Sequence, residues 1–333
     1  MSYPFYIIML FYLILYAFYY IPLFGGIFPK DKKYDGGIFP LMLLGCYFYG
    51  KTFPSTKFKE EKYINETIFI PNGEKQNITI GFSKKDFKNH KGISGLKYYL
   101  VIMYLRKHLQ TFGEVYLTLN NLLEECGYST KSHNKSIYSD FREIIKTELI
   151  NKGYVSCNVD IFTINPTEMF SLQLSEKKNI FYTKDNFVQF SISEYEQISN
   201  SDSKINKSVL VGVYLFIKQY IMDYPSDTIS PPRISFPSKQ QIKKGIGISS
   251  YTTIENAISF LAEMKMIYIR TDMFVENTEE ENIYVPTRNV FALDVEELNG
   301  DAILIELERI YGKKVYNRND VPGEVRYLEK QKG

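Results

Sequence analysis

Tryptophan is absent from this chain, and cysteine is rare, with three residues in 333. Cys46, Cys126 and Cys157 share no CxxC spacing and have no paired histidines nearby. This pattern excludes a disulfide framework, gives no sign of a structural zinc site and indicates a reducing compartment. Aromatic residues are nevertheless abundant, with 28 Tyr and 24 Phe. Together with many Lys, Asn and Ile, they indicate an AT-rich genome, so aromatic richness alone predicts no function.

A strong net charge is also lacking, because the formal value is only +2. The charge is unevenly distributed, however. Residues 83–157 carry 12 Lys/Arg against 7 Asp/Glu, and residues 204–270 carry 9 against 4. The segment between these blocks has 3 against 7, and residues 271–333 have 8 against 14. Two basic blocks thus alternate with acidic ones, which favours an acidic partner for the basic blocks.

Residues 3–28, YPFYIIMLFYLILYAFYYIPLFGGIF, contain no charged side chain. The run is long enough to span a bilayer, but it lacks the basic start and the cleavage site of a signal peptide. One interpretation is a single-pass anchor, with Lys30, Lys32 and Lys33 holding the rest of the chain in the cytoplasm. The other is a start codon assigned too early, so that upstream AT-rich DNA is translated. Residues 1–56 therefore form a separate apolar N-terminal segment.

Residues 45–52, GCYFYGKT, match the phosphate-loop pattern G-x-x-x-x-G-K-[ST]. Such a loop needs small residues so that its backbone N–H groups converge on phosphate, whereas three of the four variable positions here are Tyr or Phe. The Lys and Thr should also open a helix, but Pro54 pushes Phe53 out of helical geometry. The match is interpreted as accidental, and no nucleotide cofactor is predicted.

Residues 236–268 read FPSKQQIKKGIGISSYTTIENAISFLAEMKMIY. Ser238 predicts the N-cap of a short helix through about Lys244, and the glycines at Gly245 and Gly247 end it. Ser249 predicts the cap of a second helix. Its apolar face is formed by Ile254, Ala257, Ile258, Leu261 and Met264.

The flanking segments complete a recognisable order of elements. Upstream, KSVLVGVYLFIKQYI predicts an amphipathic helix. Downstream, IYIRTDMFV and NIYVPTR predict two strands of a hairpin around an acidic loop. Helix, helix, tight turn, helix and hairpin is the order of a winged helix, a variant of the helix-turn-helix.

The same order occurs about 120 residues earlier. GLKYYLVIMYLRKHL predicts a helix, EVYL a short strand and TLNNLLEECGYS a second helix with its turn. Thr118 aligns with Ser238 and Gly127 with Gly247. A longer helix and the hairpin YVSCNVDIFTINP follow. Repetition of a whole supersecondary unit is stronger support than either copy alone.

The predicted fold class is therefore α+β, mainly helical, with two tandem winged-helix (helix-turn-helix) domains after the apolar N-terminal segment. The first domain is predicted at residues 57–175 and the second at residues 176–295. Residues 296–333 are predicted to be a charged C-terminal tail.

Each predicted unit carries candidate DNA contacts. In the second unit, lysines suited to phosphate contacts flank the helix-turn-helix: Lys239, Lys243, Lys244 and Lys265. Short polar side chains and one tyrosine are expected on the exposed face of its recognition helix: Ser250, Tyr251, Thr252, Glu255, Asn256 and Ser259. The comparable residues of the first unit are Lys131, Ser132, His133, Asn134 and Lys135, with Arg142 farther along the helix. A merely solvated face would look similar, although it usually carries more Glu and Lys.

Residues 180–290 resemble the helix-turn-helix replication and regulatory proteins of Gram-positive plasmids and phages. The resemblance rests on the segments YTKDNFVQFSISEYEQI, KSVLVGVYLFIKQYI, FPSKQQIKKGIGISSYTTIENAISFLAEMKMI and NIYVPTR. The tandem arrangement is also similar to plasmid replication initiators with two winged helices. The resemblance implies a sequence-specific DNA-binding protein that acts in replication initiation or transcription, with each wing on the flanking DNA backbone.

A nicking enzyme is not expected, because His90, His108 and His133 form no metal-binding cluster near a nucleophilic tyrosine. The sequence predicts no catalytic or metal site, and double-stranded DNA is the expected partner. Replication proteins and a second copy of the chain are further candidate partners. Two alternatives stay open: a membrane-anchored DNA-binding regulator, and an adaptor whose winged helices bind replisome proteins. A cytoplasmic location is expected for the DNA-binding part in either case.

Overall fold

The computed structural model describes residues 79–83, 85–110, 112–130, 135–181, 187–221, 233–299 and 301–327. The apolar N-terminal segment and the GCYFYGKT match lie outside these ranges. So do four of the candidate DNA contacts, Lys131, Ser132, His133 and Asn134.

The predicted α+β class is confirmed, since the described residues form nine α-helices and four small sheets. The first repeat, residues 79–174, contains these elements in chain order: β1 (Thr79–Ser83), α1 (Asp86–Asn89), α2 (Gly92–His108), β2 (Glu114–Leu117), α3 (Leu119–Glu125), α4 (Lys135–Glu143), β3 (Val155–Cys157) and β4 (Phe170–Leu174). Helix α4 continues as a π-helix over Ile144–Ile150.

The second repeat, residues 187–292, follows the same plan. Its elements are β5 (Phe187–Ser191), α5 (Ile192–Ser199), α6 (Lys207–Lys218), β6 (Ile234–Ser235), α7 (Lys239–Ile246), α8 (Tyr251–Glu263), β7 (Tyr268–Arg270), β8 (Met273–Glu276), β9 (Ile283–Pro286) and β10 (Val290–Ala292). The remaining elements are α9 (Asp301–Tyr311), β11 (Val315–Asn317) and β12 (Glu324–Val325), with 3-10 turns at Glu296–Leu298 and Arg318–Asp320.

Each repeat closes a three-stranded antiparallel sheet with the same strand order. In the first, β4 lies between β2 and β3; in the second, β10 lies between β6 and β7. In both repeats, the strand that follows the long helix, β2 or β6, thus lies at one edge of the three-stranded sheet. The hairpin predicted around the acidic loop is confirmed in part, because Met273–Glu276 pairs with Ile283–Pro286. The other part of its predicted first strand, Tyr268–Arg270, pairs with Val290–Ala292 instead.

Side-chain caps and turn glycines explain where helices α3 and α7 begin and end. The hydroxyl of Thr118 accepts a hydrogen bond from Asn121 N at 3.0 Å, and that of Ser238 accepts one from Gln241 N at 3.1 Å. Gly127 and Gly247 follow the capped helices with φ of +80° and +72°. A side chain is strained in that left-handed region, so a glycine ends each helix cleanly.

The two long helices α2 and α6 form the centre of the fold. From Leu96 to Leu105 every α2 side chain is buried, and all but the last residue of α6 are buried. The helices approach closely at Gly212, where an added Cβ would meet the Leu96 side chain at 2.8 Å. The Ser208 hydroxyl donates to Ile93 O at 3.0 Å in the same crossing. A helix that is apolar on all sides needs partners on all sides, and each of these helices lies against the other.

The two repeats also contact each other through equivalent elements. Strands β1 and β5 pair antiparallel, from Thr79↔Ser191 to Ser83↔Phe187. An added Cβ on Gly127 would meet Lys207 and the Ser199 carbonyl at 2.7 Å, at the start of the second repeat's long helix. An added Cβ on Gly247 would meet Lys91 at 2.8 Å, at the start of the first repeat's long helix. The turns after α3 and α7 are therefore each packed against the other repeat.

A second sheet extends the second repeat. It has the strand order β11-β8-β9-β12, so the C-terminal segment pairs with the β8–β9 hairpin on both edges. Arg270 fixes this segment: its Nη1 donates to Leu298 O at 2.8 Å and its Nη2 to Asn317 Oδ1 at 2.5 Å. The residues predicted as a charged tail thus contain a helix and two paired strands. We call the two strands β8 and β9, with α9, β11 and β12, the C-terminal module.

Within the described ranges, every helix is too short or too polar to span a lipid bilayer.

The α2–α6 crossing generates a stability prediction. Gly212→Ala should lower the free energy of unfolding by about 1–3 kcal/mol, because the new methyl overlaps Leu96. Replacing Gly by Ala inside a helix is otherwise favourable by about 0.5–1 kcal/mol. In a Leu96→Ala background, Gly212→Ala should therefore be neutral or stabilising. Urea denaturation of the four proteins of this cycle measures the difference. The same destabilisation in both backgrounds would place the strain elsewhere.

Candidate nucleic-acid interface

Helix α8 presents one polar stripe to solvent. Thr252, Asn256, Ser259 and Glu263 are exposed and follow one another at spacings of four, three and four residues. The opposite face is buried and consists of Ile254, Ala257, Ile258 and Leu261, as the sequence predicts. Three short polar side chains that can donate or accept hydrogen bonds thus lie along two turns of one helix face.

Ser250, rather than Ser249, caps this helix, so the predicted cap is wrong by one residue. The Ser250 hydroxyl accepts a hydrogen bond from Thr253 N at 3.2 Å. Capping uses a lone pair of the oxygen and leaves the hydroxyl proton free to donate. Ser250 is exposed, so it can still donate to a ligand while its main contribution is to the helix.

The side chains of Lys243 and Tyr251 contact each other where α7 and α8 are joined. The Lys243 ammonium lies 4.1 Å from the centre of the Tyr251 ring, and Tyr251 is 41% exposed. Such a cation–π contact orients both side chains without neutralising the ammonium. The predicted phosphate contact and the predicted base contact are therefore neighbours on one surface.

The other candidate lysines of the second repeat differ in whether their charge is free to contact phosphate. Lys239 forms an ion pair with Glu255, with Nζ 2.5 Å from Oε1, so its charge and that of the candidate Glu255 offset each other. Lys244 and Lys265 are exposed. Lys265 follows the end of α8 with φ of +58°, which is uncommon for a residue with a side chain. Lys244 and Lys265 are the stronger candidates for phosphate contacts.

A residue of the first repeat also contacts this region, and no pattern in the sequence predicts that contact. Lys91 Nζ donates to Lys244 O at 3.3 Å across 153 residues of chain. Because this bond joins the start of α2 to the end of α7, it holds the helix-turn-helix of the second repeat against the first.

In the first repeat, Lys135 is exposed at the start of α4. Arg142, expected along the DNA-facing helix, is turned inward instead, since its Nη2 donates to Ile164 O at 2.7 Å. Lys97 is also internal, forms an ion pair with Asp140 and lies 5.4 Å from the Tyr128 ring centre. Both of these cations of the first basic block therefore make contacts within the fold.

The two loops predicted as wings carry negative charge. In the second repeat the loop between β8 and β9 exposes Glu279, Glu280 and Glu281, of which Glu280 pairs with Arg326 at 2.5 Å. In the first repeat, the connection over residues 158–169 contains Asp160 and Glu168 and no Lys or Arg. Phosphates would repel such tips. The expectation that both wings lie on the DNA backbone therefore conflicts with their charge.

Two histidines have internal partners. His90 is 5% exposed, stacks on Tyr98 with ring centres 3.8 Å apart, and has Nε2 at 2.8 Å from Glu148. His108 hydrogen-bonds Glu125. Burial alone would raise the pKa of Glu125, but hydrogen bonds from His108 and Lys107 outweigh it and hold that pKa below its usual value. These histidines stabilise the fold.

Within the described part of the chain, no group of three or more His, Cys, Asp or Glu residues is arranged to hold a metal ion. Cys126 is completely buried beside Tyr195, and burial raises the pKa of its thiol far above the usual value. A buried neutral thiol is a poor nucleophile.

Comparison with known protein families finds no family that the chain matches, and comparison with curated proteins finds no significant relative.

The adjacent serines provide a test of the capping assignment. Ser250→Ala should lower the free energy of unfolding by about 1 kcal/mol, because Thr253 N loses its acceptor. Ser249→Ala is the matched control, since Ser249 is also exposed and caps no helix. Thermal or urea unfolding of the two variants measures the difference. Greater destabilisation by Ser249→Ala would contradict the assignment.

Proposed function

We propose that the two repeats are winged-helix units and that the chain is a non-enzymatic, sequence-specific DNA-binding protein. It would act in replication initiation or transcriptional regulation of a mobile element, in the cytoplasm. The observation that carries the proposal is the shared architecture: both repeats combine a capped helix, a turn glycine, a following helix and a three-stranded sheet with the same strand order. A helix-turn-helix with such a sheet is the DNA-binding arrangement of winged helices.

The surface of α8 supports duplex recognition. An α-helix fits the major groove, and an asparagine can form two hydrogen bonds to adenine there. Asn256 is central in the exposed stripe, between Thr252 and Ser259. Glu263 lies at the far end, where a carboxylate close to phosphate would be unfavourable. Base contacts are therefore assigned to the first two turns of α8.

The charged residues around α8 give the orientation on DNA. Lys243 and Lys244 lie in the last turn of α7 and Lys265 lies just after α8, where they would supply phosphate contacts. The acidic loop of Glu279–Glu281 is directed away from the duplex in this arrangement. The second wing then serves as part of the C-terminal module rather than as a DNA contact.

The alternative function is a protein-interaction adaptor. The C-terminal module favours it, because this module is acidic and adds a four-stranded sheet that DNA binding does not require. A chain that binds DNA through α8 can also contact a basic replication protein through this module. DNA binding is the primary proposal because the exposed face of α8 has short polar side chains.

The division between phosphate and base contacts generates a prediction for DNA affinity. A preferred duplex is first selected from random sequences. The double variant Lys244→Ala/Lys265→Ala should weaken binding to all duplexes alike and reduce the slope of log K against log salt by about two. Asn256→Ala should cost about 1–3 kcal/mol on the preferred duplex and little on random duplex. Titration at several salt concentrations separates the two effects.

The control for the lysine pair is Lys177→Ala, an exposed lysine outside both helix-turn-helix segments. It should leave the salt slope close to that of the wild type. If no duplex is enriched, or if Asn256→Ala weakens all duplexes equally, base recognition by α8 is ruled out. Retained binding of a basic replication protein would then favour the adaptor.

A further inference from the structure

A cleft of about 380 Å³ lies where the two repeats meet, between α1, the end of α6 and α7. Its volume is in the range of small-molecule sites. The cleft is separate from the exposed stripe of α8, although it shares α7 with the helix-turn-helix. One lining residue, Lys244, is also a proposed phosphate contact for duplex DNA, whereas Lys88, Lys91 and Tyr220 have no part in that proposal.

The inner surface of the cleft is aromatic. Phe87 and Phe216 are buried and meet edge to face with ring centres 6.3 Å apart. Tyr220 lies 5.3 Å from Phe216 and is 49% exposed. Gly245 makes this arrangement possible, because a Cβ at that position would fall 1.9 Å from the Phe216 ring. The cleft is thus lined by one tyrosine ring that contacts Phe216 and is half exposed.

The mouth of the cleft is basic. Lys88, Lys91 and Lys244 line it and are all exposed. Within the described ranges, none of the three forms an ion pair with a carboxylate. Other lysines there do: Lys97, Lys107, Lys152, Lys218 and Lys239. Three lysines that line one cleft create a positive potential that favours an anion.

We propose that this cleft binds a nucleotide, with the base stacked on Tyr220 and the phosphate held by Lys88, Lys91 and Lys244. A planar ring with an attached phosphate matches both halves of the cleft, the aromatic surface and the basic mouth. Stacking on aromatic side chains next to a positive groove is how proteins hold unpaired nucleotides without reading their sequence. An acidic peptide would satisfy the lysines but would leave the flat tyrosine face without a planar partner.

The same chemistry has two sources, a free mononucleotide and an unpaired nucleotide within a single strand. A ligand in the cleft would contact α1 of the first repeat and α7 of the second at once. It would lie beside the hydrogen bond from Lys91 to Lys244 O. The inference does not depend on duplex recognition by α8.

The test measures binding of AMP and of a fluorescently labelled ten-nucleotide oligo-dT to the full chain. Tyr220→Ala and Lys88→Ala should each weaken binding about tenfold, whereas Tyr220→Phe should retain it because the ring remains. Tyr116→Ala and Lys177→Ala are matched controls, since Tyr116 is 53% exposed and both residues are outside the cleft. Circular dichroism melts establish that every variant is folded.

Binding of both probes with this variant pattern supports a nucleotide site. Binding of oligo-dT alone with the same pattern supports a site for unpaired nucleotides of a strand. The inference is overturned if neither probe binds, if Tyr220→Ala has no effect, or if an acidic peptide binds the cleft while both nucleotide probes fail. Selected-duplex affinity of Tyr220→Ala, measured in parallel, should equal that of wild type, so failure of the cleft and failure of α8 recognition are distinguishable.

Discussion

The close crossing of two largely buried helices, α2 and α6, at Gly212 and Leu96 holds the two repeats together. A helix that is buried on every side needs packing partners on every side. The residues that cover α2 include those of α6, and the reverse also holds. The core is therefore shared, and buried residues from both repeats belong to one continuous hydrophobic cluster.

The net charge is near zero, but exposed basic and acidic residues lie in different parts of the molecule. Many basic residues are used internally, such as Lys97 with Asp140 and Lys218 with Glu194. The exposed lysines near the end of α7 have no such partner within the described residues, while the loop of Glu279–Glu281 is acidic. Opposite potentials at the helix-turn-helix and at the C-terminal module would orient the molecule as it approaches a polyanion.

Local signals in the sequence predicted local structure well, and non-local pairing poorly. Ser238, Gly127 and Gly247 were identifiable because a cap or a turn glycine acts within four residues. Strand β1 was not predicted, because its partner β5 is more than a hundred residues away. The predicted hairpin forms between β8 and β9, but β7, predicted as part of the same first strand, pairs with β10 instead, which is about twenty residues farther along the chain. Arg142 shows the same limit at a candidate site, since its inward bond to Ile164 O depends on tertiary packing.

The exchanged contacts of Gly127 and Gly247 have a consequence for self-association. Gly127 meets the start of α6, and Gly247 meets the start of α2. Reciprocal contacts of this kind are those of an isologous interface, in which residue i of one subunit contacts j of the other and j contacts i. Here both partners are covalently joined, so the interface is already closed within one chain. A homodimer that forms without exchange of repeats between chains would have to use a different surface, and that surface would need its own complementarity.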